Sequence, residues 1–298
     1  MSVVHELLNE LEEKEVRSSV PFQARYNQEG GFFDFDLPDE ILNDFYDLKE
    51  YVRIANMRGQ MRALSVTSSL PGEGSSTIAT YLAYLFTGLA AKKQTSADES
   101  QTEADHTEEP EEQNSIFSTT FNNMIKEKKP EKQEFTLADD ILLVDANLHQ
   151  PSIHEFFSLR AEGGLAEILE HQLDWKKCLK PIRNSNLKVI TAGVSEILPA
   201  ELLGSDVFRA LVKEWREAFS YVIFDSAPVL KYVDALTLAT AVDGVILVVC
   251  AGKTRWELAQ DAKRKLAVAQ ANLLGVALNR SKIGAVSPVY SPAIAEKN

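Results

Sequence analysis

From residue 61 onward, short apolar runs alternate with longer segments of helical character, and this alternation is the strongest constraint on the fold. The apolar runs are rich in β-branched residues and lie at 63–68, 141–146, 188–193, 221–226, 244–252 and 275–280. A strand that is apolar along its whole length is buried on both faces, as in a parallel sheet covered by helices. Segments such as 208–219 and 256–271 are long enough to cross over such a sheet. The pattern therefore predicts an α/β fold with a doubly wound, mostly parallel sheet.

Composition narrows the class of protein. The chain has 298 residues, with 31 basic and 44 acidic side chains and a net charge of −13. This charge argues against nucleic-acid binding, because a phosphate backbone binds a basic face. No apolar run approaches the roughly 20 residues that cross a bilayer, and the N-terminus has neither the basic start nor the apolar centre of a signal peptide. Because Cys178 and Cys250 have no metal-like or redox-like spacing, we expect a reduced, cytoplasmic protein.

Two segments outside the alternating pattern are predicted to be appendages of a single domain. Residues 1–38 are expected to be an N-terminal arm that either docks on the domain or binds a partner through a short amphipathic helix. The last part of the arm, from residue 25 to 38, shows no period, and residues 39–60 are then expected to form another helix. Residues 94–134 carry eight acidic residues before the first lysine and few large apolar ones, so they cannot offset their ordering entropy and are expected to be a disordered insertion. The domain itself is expected to span 39–93 and 135–283, with a tail at 284–298.

The first strand of the pattern runs into a glycine-rich loop that opens a helix. The loop reads SSLPGEGSST at 68–77 and is followed by a helical run from Ile78 to Ala91. Strand, glycine-rich loop and helix form the setting of a phosphate-binding loop. Gly72 and Gly74 allow backbone N–H groups to approach a polyphosphate, and the helix N-terminus favours its negative charge. A working loop ends in G-K-[ST]; here Ser75 stands at the lysine position, while the hydroxyl expected on Mg²⁺ is retained as Ser76.

Two further strands of the pattern end in aspartates. Asp145 ends the second apolar run, and Asp225 ends the fourth, in YVIFDSAP. Ligands of such sheets bind at the carboxyl ends of the strands, where a carboxylate can meet a metal ion or a water. An aspartate of this kind taken alone is more often a helix N-cap or a turn former. Together with the loop, they predict a phosphate-binding cleft, either active or vestigial.

With these motifs in place, the sequence resembles the bacterial tyrosine kinases of capsule and exopolysaccharide synthesis, within the MinD/ParA-like P-loop group. The resemblance covers residues 60–282 apart from the insertion. Its stretches are TSSLPGEGSST, LLVDANLHQPSIHEFF, GLAEIL, PAELLGSDVFRALVKEWREAFSYVIFDSAP, VDALTLATAVDGVILVVCAGKT and GVALNR. The segment from PAELLGS to YVIFDSAP is the most diagnostic, since ParA and MinD proteins do not share it.

The resemblance implies ATP and Mg²⁺ as cofactors. The residues that it assigns to nucleotide binding are Gly72, Glu73, Gly74, Ser75, Ser76, Thr77 and, at the adenine, Asn279. Ser76, Asp145 and Asp225 would hold Mg²⁺. In an active member Asp145 and Asp225 would also be the catalytic carboxylates.

The chain departs from the family pattern in its phosphate contacts and its second motif. Ser75 is neutral and too short to contact the terminal phosphates. Losing such a charge-assisted hydrogen bond costs about 1.5–3 kcal/mol in binding. The second motif reads Asp145-Ala-Asn147 and then His149, where the family has D-x-D followed by Arg. An asparagine cannot accept a proton as a base.

Two features outside the cleft are also weak. The helix that builds ring oligomers in the family matches residues 43–53, which retain at best Lys49 in place of one arginine. The family's C-terminal tyrosine cluster is reduced to Tyr290. The departures from the family pattern therefore affect four properties: the contact with phosphate, the acceptance of a proton, the assembly into rings and the tyrosines that serve as substrate.

Three functions remain open at this point. The preferred one is a regulatory or scaffold partner of the exopolysaccharide machinery, with weak ATP binding and little or no turnover. Its partners would be a membrane chain-length (Wzz-like) protein or a cognate kinase, and the chain would also associate with itself. A partner would recruit it to the inner face of the membrane, and it would not insert into the membrane. The first alternative is an active tyrosine kinase with an atypical phosphate contact, such as Lys253. The second is a MinD-like positioning ATPase, against which the PAELLGS segment weighs.

Overall fold

A computed structural model describes residues 25–27, 32–34, 39–56, 61–88, 140–183 and 185–280. The predicted insertion at 94–134, the tail at 284–298 with Tyr290, and most of the N-terminal arm lie outside the described residues.

The domain is organised around a seven-stranded sheet. Its strands are β3 (Ala63–Ser68), β4 (Ile141–Asp145), β5 (Lys180–Pro181), β6 (Leu187–Ile190), β7 (Tyr221–Asp225), β8 (Gly244–Cys250) and β9 (Leu273–Asn279). They lie in the order β5-β6-β4-β7-β3-β8-β9. Every neighbouring pair is parallel except β5 and β6. The predicted mostly parallel α/β sheet is thus confirmed.

Helices connect the strands. They are α1 (Asp39–Ala55), α2 (Ser75–Phe86), α3 (Ile153–Phe156), α4 (Leu165–His171), α5 (Trp175–Cys178), α6 (Pro199–Gly204), α7 (Asp206–Ala218), α8 (Asp234–Ala241) and α9 (Trp256–Val268). In α7 the Ser205 hydroxyl caps the N-terminus by accepting the Phe208 N–H at 3.1 Å. Along the described chain, no helix has the length and apolar character needed to span a bilayer.

Each central strand supplies side chains to two separate cores, one on each face of the sheet. In β4, Leu142 and Val144 belong to one core, while Leu143 belongs to the other. In β7, Phe224 points to the first core and Ile223 to the second. Because successive side chains of a strand face opposite sides, this division requires apolar residues along the whole strand. It explains why the runs in the sequence are continuous rather than alternating.

The structure differs from the sequence prediction mainly at element ends. The strand predicted at 188–193 stops at Ile190, because the Thr191 and Ala192 carbonyls accept from the first amides of α4 instead of extending the ladder. Helix α2 begins at Ser75 rather than at residue 78, because Gly74 with φ 94° is its N-cap. The two-residue strand β5 was not predicted, since it is too short to show a pattern.

The segment from 25 to 38 was predicted to lack periodic structure, and this prediction is wrong in part. It contains two antiparallel strands, β1 (Arg25–Asn27) and β2 (Phe32–Asp34). Each is three residues long, which is too few to reveal an alternation of apolar and polar side chains. Helix α1 agrees with the predicted helix over 39–60 except that it ends at Ala55.

Phe224, at the centre of the sheet, provides a test of the first core. Its ring is fully buried and lies 6.0 Å from Phe208 and 6.1 Å from Trp215, measured between ring centroids. We expect Phe224→Ala to lower the free energy of unfolding by about 3–5 kcal/mol, since it leaves a cavity in a packed site. Urea denaturation measures this loss. Val268→Ala, at a side chain 85% exposed, should change stability by less than about 0.5 kcal/mol; equal effects of the two substitutions would contradict the assigned core.

Candidate functional site

The loop between β3 and α2 has a backbone that requires glycine at two positions. Gly72 and Gly74 have φ values of 80° and 94°, in the left-handed region that L side chains rarely adopt. A Cβ atom at Gly74 would also lie 2.2 Å from Nδ2 of Asn279. The glycines predicted to form a phosphate-binding loop are therefore needed for its shape.

Helix α2 presents an uncapped N-terminus at the end of this loop. The N-cap residue, Gly74, supplies no side chain, and the first helical hydrogen bond runs from the Ile78 N–H to the Gly74 carbonyl at 3.0 Å. The amides of Ser75, Ser76 and Thr77 therefore precede the first helical bond and have no carbonyl one turn earlier to receive them. Such an end, with its positive dipole, favours an anion such as phosphate.

Glu73 holds the loop from inside. Its side chain is buried, and its carboxylate accepts the Leu70 N–H at 2.9 Å and the hydroxyl of Thr254. The resemblance placed Glu73 among the nucleotide contacts. In the structure its carboxylate is engaged within the protein, which leaves the backbone of Glu73 as the part that a nucleotide would contact.

Asn279, at the end of β9, also contacts the loop. Its Nδ2 donates to the Glu73 carbonyl at 2.8 Å, and its Oδ1 accepts the Arg280 N–H at 2.8 Å. The structure thus brings the residue expected at the adenine directly against the phosphate-binding loop. A contact between Asn279 and a nucleobase would therefore act on the loop through one hydrogen bond.

The two predicted aspartates are direct neighbours. Asp145 and Asp225 pair in register at the ends of the parallel strands β4 and β7. The Asp145 carboxylate accepts three backbone amides: Asn147 at 3.2 Å, Ser152 at 3.1 Å and Ile153 at 3.0 Å. It therefore organises the turn after β4 as well as lining the cleft.

Burial and mutual repulsion make this pair of carboxylates hard to ionise. Burial raises the pKa of Asp145 to about 6, although its three amide donors favour the charged form. The pKa of Asp225 is raised well above its usual value, first by complete burial and then by the charge of Asp145. The nearby Ser76 hydroxyl and Ser226 amide counter this rise. Within the described chain, however, neither carboxylate oxygen of Asp225 has a hydrogen bond of ordinary geometry.

An unpaired buried carboxylate next to a helix N-terminus fits a magnesium–phosphate group. Mg²⁺ takes oxygen ligands, and it is commonly held by one or two carboxylates with phosphate and water completing its shell. Asp225 and the neighbouring Ser76 hydroxyl are such donors. Across the described ranges, no cluster of three or more His, Cys, Asp or Glu residues suits a metal ion by itself. A bound Mg²⁺ would accordingly depend on the nucleotide for further ligands.

Ser75 is the first residue of α2 and is largely buried. The general loop pattern has lysine at this position, and this sequence has an uncharged serine. No basic residue occurs anywhere in the loop at 68–77. The structure therefore brings the first amides of α2 and two carboxyl groups to this edge of the sheet, while the loop itself lacks a cation.

The sequence analysis missed a polar group that joins the turns after β4 and β7. The Nε2 atom of His149 lies 3.0 Å from Oδ1 of Asp234, whose side chain is buried. The imidazole stacks on the Tyr232 ring, with 3.6 Å between ring centroids and 10° between planes. His149 was noted only as a departure from a motif, and nothing in the spacing of Asp234 indicated this pairing.

The raised pKa of Asp225 gives a stability test in buffer with EDTA and no nucleotide. Because folding raises this pKa, the folded state is destabilised as pH increases from the usual aspartate value through the higher folded value, and the full penalty applies above it. We expect Asp225→Asn to raise Tm by about 3 °C or more at pH 7.5, and by much less at pH 4.5.

The matched control is Asp206→Asn, whose side chain is 99% exposed. Its Tm should change by about 1 °C or less at either pH. A lower Tm for Asp225→Asn at pH 7.5 would show that this carboxylate is satisfied within the protein.

Comparison with curated proteins identifies relatives of this chain, although no family model matches it. The chain is 29% identical to the tyrosine-protein kinase YwqD of Bacillus subtilis over 236 residues. The aligned residues make up 79% of this chain and 79% of YwqD. It is 29% identical to the putative tyrosine-protein kinase CapB of Staphylococcus aureus, over 50% of this chain and 65% of CapB. It is 30% identical to the succinoglycan biosynthesis transport protein ExoP of Rhizobium meliloti, over 47% of this chain but only 18% of ExoP.

Solved structures agree with these relatives. The VpsO kinase domain superposes with a TM-score of 0.57 at 25% identity, covering 82% of this chain and 98% of that domain. The chimerical protein CapA2B2 superposes with a TM-score of 0.63 at 20% identity, covering 93% of this chain and 98% of the chimera. The second likeness, at this identity, is one of fold alone. In sequence and in fold, the chain is a homologue of the bacterial tyrosine-protein kinases.

Proposed function

We propose that this chain is a nucleotide-binding member of a capsule or exopolysaccharide system that acts as a regulatory or scaffold partner and transfers phosphate weakly or not at all. The observation that carries the proposal is that a glycine-rich loop, a helix N-terminus and two carboxyl groups meet at one edge of the sheet without a cation in the loop. The loop, the free amides of α2 and the Asp145–Asp225 pair are in place, while Ser75 stands where a cation would contact the outer phosphates.

Nucleotide binding is supported by groups that have no other evident use. The amides of Ser75, Ser76 and Thr77 open α2 without a cap. Asp225 is buried with both carboxylate oxygens unpaired in the described chain. Leaving such groups unsatisfied costs stability, and a phosphate with Mg²⁺ would satisfy them together. Asp225 and Ser76 would hold the metal, and Mg²⁺ would supply charge neutralisation at the phosphates when bound.

Efficient transfer is disfavoured by two side chains. Ser75 offers no positive charge to the developing transition state, and one preorganised donor of this kind is typically worth about 10²–10³-fold in rate. Asn147 has an amide where the family motif has a carboxylate, so it cannot accept a proton.

The cellular context and partners are inferred from the relatives. ExoP is named as a succinoglycan biosynthesis transport protein, and the matched segment is a small part of it. A segment that one relative carries within a transport protein is expected to act next to a transport component. We therefore propose a membrane chain-length (Wzz-like) protein or a cognate kinase as partner, at the inner face of the membrane. We also propose that the chain associates with itself.

An active tyrosine kinase is the second candidate. It is favoured by the pairing in register of Asp145 and Asp225 beside the Ser76 hydroxyl, since these oxygens would hold the Mg²⁺ that phosphoryl transfer from ATP uses. In that function Asp145 would assist the attacking hydroxyl. The two candidates differ in turnover and agree on nucleotide binding.

Restoring the missing lysine tests whether the cleft is otherwise intact. We expect Ser75→Lys to tighten binding of Mg-ATP by about tenfold or more, because one charge-assisted contact is worth more than about 1.4 kcal/mol. Isothermal titration calorimetry measures the change. Ser75→Met, which adds length without charge, should give no gain. Unchanged affinity in Ser75→Lys would contradict the expectation that a positive charge at position 75 adds a phosphate contact.

Transfer of the γ-phosphoryl group from radiolabelled ATP separates the two candidates. We expect the wild-type chain with Mg²⁺ to label itself no more than Asp225→Ala does, because Ser75 cannot stabilise the transition state. Robust labelling that Asp225→Ala abolishes would overturn the regulatory proposal in favour of the kinase.

A further inference from the structure

A second element of the protein lies against the phosphate-binding loop, on the side of β8. The turn after β8 contains Thr254, whose hydroxyl donates to the Glu73 carboxylate and accepts the Cys250 N–H at 3.0 Å. The same turn is closed by bonds from the amides of Thr254 and Lys253 to the Cys250 carbonyl, at 2.9 and 3.2 Å. Lys253 thus lies in a turn that is hydrogen-bonded directly to the loop.

The ammonium of Lys253 is exposed and has no ion pair or hydrogen bond with any residue that the structure describes. Three other cations near this edge are engaged, and a fourth, Arg280, follows Asn279 at the end of β9. Arg255 lies 3.5 Å from Glu257, the Lys231 ammonium lies 4.9 Å from the Tyr232 ring centroid, and Lys265 donates to the Leu230 carbonyl. Unlike the three engaged cations, Lys253 is therefore left available to an external anion.

The cleft has no cation of its own, because the ionisable side chains around the loop are carboxyl groups. Glu73, Asp145 and Asp225 are all buried around the loop, and residues 68–77 contain no basic side chain. The outer phosphates of a nucleotide would add further negative charge at this place. An ammonium on a flexible four-carbon stem can meet them from a neighbouring turn.

We propose that Lys253 is the phosphate-binding cation of this chain and contacts the outer phosphates from the β8 side, in place of the lysine that Ser75 replaces. This inference rests on the proposed nucleotide binding. It assigns to Lys253 a role in affinity for the β- and γ-phosphates and therefore in the preference for ATP over AMP. The adenine end of the site, at Asn279, is unaffected by this residue.

The test measures binding of Mg-ATP and of AMP by calorimetry to the full chain. We expect Lys253→Ala and Lys253→Gln to weaken Mg-ATP binding by about tenfold or more, as for the loss of one charge-assisted contact, while AMP binding changes by less than about twofold. Arg255→Ala is the matched control, because it removes an exposed cation two positions away that already pairs with Glu257. It should bind both nucleotides as the wild type does.

A double substitution makes the result specific. If Lys253 replaces the loop lysine, adding Ser75→Lys to the Lys253→Ala variant should restore its affinity for Mg-ATP. The same substitution in the wild-type chain should increase the affinity by a smaller factor. Wild-type affinity in Lys253→Ala, or a loss confined to Arg280→Ala, would overturn the assignment while leaving nucleotide binding intact. Absence of Mg-ATP binding in both the wild type and Ser75→Lys would instead remove the proposed nucleotide binding on which the assignment depends.

Discussion

The candidate site depends on the pairing of β7 with a parallel strand on each side. Asp225 at its end is in register with Asp145 of β4 and with Val66 of β3. Beyond the strand ends, the Ala146 amide donates to the Asp225 carbonyl and the Ser226 amide donates to the Val66 carbonyl, each at 2.9 Å. These bonds fix the relative positions of three loops. The carboxylates and the glycine-rich loop therefore meet because of the sheet rather than because of side-chain contacts between them.

The loop is in addition held by polar groups of the protein. Glu73 engages Leu70 and Thr254, and Asn279 donates to the Glu73 carbonyl. These partners come from the loop itself, from the turn after β8 and from the end of β9. A loop supported in this way keeps its shape without a ligand, so a change at Ser75 alters its charge while leaving its backbone in place. This separation of shape from charge is what the proposed regulatory function requires.

Much of this arrangement follows from the sequence, because it depends on backbone geometry that residue types encode locally. Continuous apolar runs predict buried parallel strands, and the carboxyl ends of such strands meet at one edge, which brings Asp145 and Asp225 together with the loop. What could not be predicted depends on contacts between distant residues. The inward direction of the Glu73 carboxylate and the pairing of His149 with Asp234 each join segments whose spacing carries no periodic signal. Short strands such as β1 and β2 are missed for the different reason that three residues cannot display a pattern.

The contact between Gly74 and Asn279 ties together two positions at opposite ends of the domain sequence. A methyl group at position 74 would require the carboxamide at 279 to move, and that movement would break its bond to the Glu73 carbonyl. Neither residue can thus be exchanged for a larger one without disturbing the other. In a protein with this geometry the two positions are expected to vary jointly or not at all, and an engineered change at one of them has to be designed with the other in view.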